Sequence, residues 1–195
     1  DWDLKTLIPD ANMRRRMSRI VKMGVATAMK CLETAQVKTP EAIVTSTAYG
    51  CLADSEKFLA QAIASDEAML PPTPFIQSTF NTIGSHIAIL TNCHEYNMTF
   101  VNRQDSFSSA LLDACMLIAE GRKNVLLGLA DETTPTLEKI IARMGHKAPG
   151  LPLSDGAVFF VLSDEKSAST VSEITGLDLN NLKAKASDLM QLAMR

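Results

Sequence analysis

Four cysteines and three histidines are the side chains of this chain best suited to attack, proton transfer or metal binding: Cys31, Cys51, Cys93, Cys115, His86, His94 and His146. No cysteines are spaced as CxxC, no histidine lies at finger spacing from them, and there is no HExxH, so no metal site is expected. Cys31 and Cys115 fall within apolar helical patterns, where a free thiol behaves as a small buried hydrophobe. All four read as reduced thiols of a cytoplasmic protein. Cys51 follows Gly50 at the end of an expected strand, the one place where a cysteine nucleophile could be argued. The histidines read as solvated or hydrogen-bonded. Asp131 and Glu132 follow an apolar strand, where ligands gather in α/β sheets. Adjacent carboxylates point in different directions, so capping or loop bonding is expected rather than paired acid/base work. There is no GxGxxG after a strand, no GxxxxGK[ST] and no GxSxG, and no cofactor is implied.

The elements that would position these residues can be read from periodicity. A short irregular opening precedes a helix over 12–34, capped by Asn12, with Met13, Met17, Ile20, Val21, Gly24, Ala28, Cys31 and Leu32 on one face. Arg14, Arg15, Arg16, Arg19 and Lys22 cluster near its start. Cations there oppose the helix dipole, which calls for acidic side chains of this chain or of a partner. A buried strand is expected over 42–49, then a helix with Asp54 as N-cap and Phe58, Leu59 and Ile63 as its face. Three prolines predict an extended loop over 69–79. A short helix over 81–90, a β run over 97–103 and a helix over 106–120 ending at Gly121 follow. Further expectations are an apolar strand over 124–130, a helix over 136–144, a strand over 156–162, a more polar edge strand over 169–177 and a final helix over 183–194. The alternation predicts an α/β fold, layered α-β-α, with a mixed five-stranded sheet.

At 195 residues the chain is expected to form one domain with a real core. Apolar residues make up 46% and charged residues 21%, which excludes a disordered chain. The net charge of −3 excludes nucleic acid as the main partner. No apolar run reaches the ~20 residues of a membrane span. The chain opens at Asp1 without Met, so a trimmed piece of something longer is expected.

The most informative stretch is 71–132: a Pro-rich segment PPTPFIQSTFNTIGSHIAI, a β run YNMTFVN, a turn RQDSF, a small-residue helix and the strand NVLLGLADE. A strand that turns sharply into a helix aims unsatisfied N–H groups and a dipole at the turn. Such a place can hold a nucleophile or an oxyanion.

With RRRMSRIVKMG at 14–24, PFIQSTFNTIGSHIAI at 74–89, GLADE at 128–132 and SDGAVFFVLS at 154–163, this block resembles the amino-terminal half of β-ketoacyl-acyl-carrier-protein synthases. The resemblance implies a thiolase-like half across 1–195. In that family a nucleophilic Cys occupies the strand-to-helix turn. Counting back from Gly121 and forward from PFIQST both place Gln104 there. A carboxamide cannot form the thioester that Cys forms, and Cys115 lies about three turns into the helix. The carboxy-terminal half, which carries the family's two catalytic histidines, is not present in the sequence.

A Gln at this turn resembles the chain-length factors, which pair with a complete synthase and shape the tunnel for the growing chain. A short version is similar to subunits that accompany synthases of polyene pigments. The resemblance implies as partners a full-length β-ketoacyl synthase or a second copy, and acyl carrier protein. It places the strand 97–102, with Met98, Phe100 and Val101, at an edge that pairs across a dimer. Phe75, Ile76, Phe80, Ile83 and Phe107 become candidates for the tunnel wall or interface, against the reading that they are simply core. Two other functions stay open. One is decarboxylation of a malonyl thioester on acyl carrier protein with Gln104 in an oxyanion-stabilising turn; the other is a non-catalytic homodimeric scaffold.

Overall fold

A computed structural model describes residues 3–68, 70, 72–145, 154–168 and 170–175. His146 and the expected helix over 183–194 lie outside them. The chain opens with two short helices, α1 (Leu4–Leu7) and α2 (Ala11–Arg16), before the long α3 (Arg19–Thr34). The helix expected from Asn12 is therefore broken. Asp10, not Asn12, caps α2 by accepting from the amides of Asn12 and Met13. Met17 is extended and buried, and Ser18 stands as the N-cap of α3. The break alters the electrostatics: Arg14, Arg15 and Arg16 occupy the last turn of α2, where the dipole favours cations. Arg19 opens α3 and pairs with Asp155.

The sheet has four strands among the described residues, in the order β2 (Tyr96–Phe100), β1 (Ala42–Ser46), β3 (Val125–Asp131), β4 (Gly156–Leu162). β1 runs parallel to both β2 and β3, and β4 is antiparallel to β3. Of the fifth strand, expected over 169–177, nothing forms among the described residues: 170–175 carry no regular structure and Val171 is 92% exposed. The two apolar residues there, Val171 and Ile174, are three apart and both exposed, so they do not alternate onto one face of a strand.

Alternation along the strands feeds two cores. Ile43, Leu126, Ala130 and Phe159 face α3 and α6 (Thr82–Thr91). Ala42, Val44, Val125 and Leu127 face α7 (Ser106–Ala119), which lays Phe107, Ala110, Leu111, Ala114 and Leu117 on them. The result is the expected α-β-α layering. Gly128 makes room for the Phe159 ring opposite it in the ladder: a Cβ there would stand 2.0 Å from the ring. Gly121, at φ +101°, ends the turn after α7.

Between β1 and α6 the chain forms α4 (Leu52–Ala64) and α5 (Pro72–Ser78), and two expectations are corrected there. Residues 72–78 are helical, not extended, because Pro72 and Pro74 sit in the first turn, where amides have no helical acceptor to lose. Helix α4 starts after Cys51, with Asp54 inside its first turn rather than at the cap. No α4 residue is buried; Leu59 and Ile63 are 56% and 79% exposed. Phe58 packs on Phe75 of α5, ring centroids 5.4 Å apart, so α4 and α5 form an arm that packs mainly on itself. Helix α8 (Pro135–Arg143) completes the described elements, capped by Thr134.

Candidate functional site

The strand-to-helix turn lies where the sequence puts it. β2 ends at Phe100, a single 3₁₀ turn covers Arg103–Asp105, and α7 starts at Ser106. Arg103 takes a left-handed φ of +49°, which reverses the chain in minimal length. Ser106, fully buried, staples the turn: its Oγ accepts from the Asn102 amide at 2.7 Å and donates to the Arg103 carbonyl at 2.7 Å. Gln104 is exposed at the apex, one residue ahead of Asp105, which precedes α7. Its amide can donate and accept hydrogen bonds there but offers no nucleophile.

The thiols do not supply one either. Cys51 is buried, and burial together with Asp54, Glu132 and Asp131 pushes its thiol up to about 12. Burial raises Cys31 to about 11, and its Sγ lies 3.3 Å from the Phe159 carbonyl. Cys93 is buried with its Sγ 3.2 Å from the Pro40 carbonyl. Thiols held protonated, as at Cys51 and Cys31, are poor nucleophiles. His94 is exposed and bonds Asn92, while His86 is half-buried, which lowers its pKa. Neither approaches a thiol by hydrogen bond. Among the described residues no three His, Cys, Asp or Glu side chains gather as a metal set.

Asp131 and Glu132 organise loops, as expected. Asp131 accepts from Thr47 Oγ1 at 2.7 Å and from the amides of Ala48 and Tyr49, fixing the turn after β1. Glu132, 5% exposed, accepts from the Ala53 amide in the first turn of α4 at 3.0 Å. Burial, and then the neighbouring Asp54 and Asp155, raise its pKa against that bond and Arg19. Thr134 donates to Glu56 of α4 at 2.5 Å and accepts from the Leu137 amide. Asp155 accepts from the Thr133 amide and hydroxyl and pairs with Arg19; these partners, the amide foremost, hold its carboxyl below the usual range. The root of the arm is thus tied to the loop after β3 by side chains, whereas its tip is apolar and open.

The apolar candidates divide. Ile83 and Phe107 are 7% and 8% exposed, core residues of this chain: Ile83 packs among α3 and β3 residues, and Phe107 lies against Phe160 with ring centroids 6.3 Å apart. Phe75, Ile76 and Phe80 are each more than half exposed. On β2, Met98 is exposed and Phe100 is half-buried against the α7 core, and Val101, the residue just after the strand, is exposed. β2 has β1 on one side and an open edge on the other among the described residues. Sequence reasoning missed two features: the arm and a contact at its foot. The Phe80 ring lies over Gly50, at φ +71°, so closely that a Cβ on Gly50 would fall 2.5 Å from it. The Gly after strand β1 was the available signal for the turn. Nothing in the sequence paired it with Phe80.

Among the described residues no helix is long and apolar enough to cross a membrane. No curated protein matches the chain. Solved structures do. The chain is similar to a ketosynthase, ApeO, in complex with its chain length factor, ApeC, from Xenorhabdus doucetiae. There the TM-score is 0.64 at 21% identity, over 79% of this chain and 60% of that one. It is similar to the ishigamide ketosynthase/chain length factor, with TM-score 0.66 at 21% identity over 83% and 48%. It is also similar to AntDE:AntF, a type II polyketide synthase acyl-carrier protein in complex with its ketosynthase, with TM-score 0.68 at 16% identity over 84% and 51%. At these identities the likeness is one of fold, and the chain spans about half the length of those it matches. The family profile described as "Beta-ketoacyl synthase, N-terminal domain" matches residues 5–192, nearly the whole length. The α-β-α layers, the edge strand and its turn into α7 are therefore those of a member: the chain belongs to the β-ketoacyl synthase N-terminal domain family.

Proposed function

We propose that this chain is a chain-length-factor-like, non-condensing partner subunit of a β-ketoacyl synthase in fatty-acid or polyketide-type, polyene-pigment biosynthesis. The observation that carries it is Gln104 at the exposed apex between β2 and α7, with every described cysteine elsewhere and buried or in a helix. A side chain that cannot take up an acyl group leaves this chain to act by shape. Two surfaces suit that role. The edge of β2 that is open among the described residues, with Met98 on it and Val101 just beyond its end, can be extended by a partner strand. The arm offers Phe75 and Ile76 as apolar wall for the partner's acyl chain. Two of the solved structures are described as ketosynthase/chain length factor pairs and a third as a ketosynthase complex with acyl-carrier protein, which supports both a synthase partner and a carrier protein.

Coexpression with the intact synthase of the same pathway tests the reading. A stable heterodimer on native purification is expected, and Met98→Asp with Val101→Asp should abolish it. Two separate species from the wild-type pair would overturn it.

A further inference from the structure

We propose that Asp113 is a charge-specific docking point at the edge of β2: the strand that a synthase partner adds there carries a Lys or Arg, on the face toward α7, that pairs with Asp113. The inference rests on the partner reading above and names the chemistry by which the edge selects its partner.

Along β2, Tyr96, Met98 and Phe100 turn to the face that α7 covers, as the ladder neighbours Ala42 and Val44 do. The Tyr96 phenol reaches α7 and donates to Asp113 Oδ1 at 3.2 Å. Asp113 is half-buried, and its Oδ2 is buried with no hydrogen-bond partner among the described residues. Burial raises its pKa, the Tyr96 bond opposes that rise, and Glu120 on the same helix adds to it.

No described residue supplies a cation to this carboxylate. None of the ion pairs among the described residues includes Asp113. The titratable groups that face it are the Tyr96 phenol from β2 and the Glu120 carboxylate from α7. Arg122, the cation nearest to it in sequence, is engaged elsewhere: it donates to the Glu41 carbonyl at 2.7 Å and pairs with Glu95 at 3.1 Å. A partly buried carboxylate without a cation is costly, so the compensating charge is one that an added chain would bring.

The side of β2 that is open among the described residues is where such a charge can enter. Directly opposed residues of antiparallel strands share a face, with Cβ atoms about 4.5–5.5 Å apart. The residue of an added strand opposite Tyr96 therefore projects beside the phenol, toward α7. A Lys or Arg is long enough to bring its charge level with the Tyr96 hydroxyl, next to Asp113. There it offsets the carboxylate without having to reach Oδ2. An Asp or Glu at the same place would be repelled by Asp113 and Glu120. The strand β2 itself, YNMTF, has no cation, so a second copy pairing strand to strand leaves Asp113 unmatched. The edge thus favours a different chain.

The heterodimer of the full chain with the intact synthase of the same pathway is diluted at about 50 mM and about 500 mM NaCl, and its dissociation constant is read by mass photometry. Wild type is expected to weaken in high salt. Asp113→Asn keeps the size and the acceptor for Tyr96 but loses the charge. At low salt it should dissociate about tenfold more readily, with a smaller further loss in high salt. Asp113→Lys should dissociate more readily still, and a Glu in place of one Lys or Arg on the partner's edge strand should restore its association. A wild-type pair that never associates overturns the partner reading and this inference with it. A wild-type pair that associates while Asp113→Asn binds equally well overturns this inference alone, as does Asp113→Lys that no such partner change restores. Should Asp113→Asn fail to fold, Asp113→Ser is judged by the same comparison.

Discussion

On α7, Phe107, Ala110, Leu111, Ala114 and Leu117 are all buried against β1 and β3, whereas on α4 nothing is buried and Leu59 and Ile63 stand in the open. Both helices carry apolar residues at helical spacing. Helix α7 returns directly onto the sheet from the turn after β2. Helix α4 leaves β1 and meets α5, a helix only seven residues long, which covers little more than Phe58. Periodicity states that a face prefers cover. It does not state whether the cover belongs to the same chain.

The sharpest test of this contrast is Leu111→Ala, at 1% exposure. Loss of about 2–5 kcal/mol is expected from the removed contacts and the void they leave. Urea unfolding reads it, and a loss below about 1 kcal/mol would mean that α7 does not carry the core. Next is Thr134→Ala at the root of the arm, which removes the α8 cap and the bond to Glu56. About 1–2 kcal/mol is expected, with faster hydrogen exchange in the first turn of α4 than at the centre of α7.

Two carboxylates beside that root give opposite pH slopes. Asp155 has a folded pKa below its ordinary 3.8, so between the two values the unfolded chain binds more protons. Its contribution is present above 3.8 and is lost as pH falls through the folded value. Glu132 has a folded pKa above its ordinary 4.5, so the folded chain binds more protons. Its contribution is full below 4.5 and is lost as pH rises through the folded value. Urea midpoints against pH should therefore lose an acid-side slope in Asp155→Asn and a slope of the other sign in Glu132→Gln. An unchanged profile in both would break the assignment. The smallest effect belongs to Ile63→Ser on the arm: within about 0.5 kcal/mol on the isolated chain, because 79% of the side chain is already in water. A large loss there would show the arm to be a core element after all.

Much of this architecture is legible in the residues. The apolar runs of β1, β3 and β4, the spacing on α7 and the stop at Gly121 place the layers, and the RQDSF turn places Gln104. The break between α2 and α3 is not, because Met17 and Ser18 interrupt the pattern without Gly or Pro, and only the packing of Met17 reveals it. Helix α5 is hidden by its prolines, which count against a helix except in its first turn. Ile83 and Phe107 show the limit for the site. An apolar residue near a functional turn has the same letter whether it faces a ligand or its own sheet, and here both face inward. The contact of Phe80 with Gly50 joins residues 30 apart in the chain, a distance no local pattern spans.

The unmatched rim of β2 bears on how such a chain is best produced. Among the described residues its backbone donors and acceptors meet no strand, and such an edge beside Met98 is a template for a compatible strand, including that of an identical molecule. If nothing covers that rim, surplus chain is expected to self-associate through it, and production alongside a strand that covers it is the simplest protection.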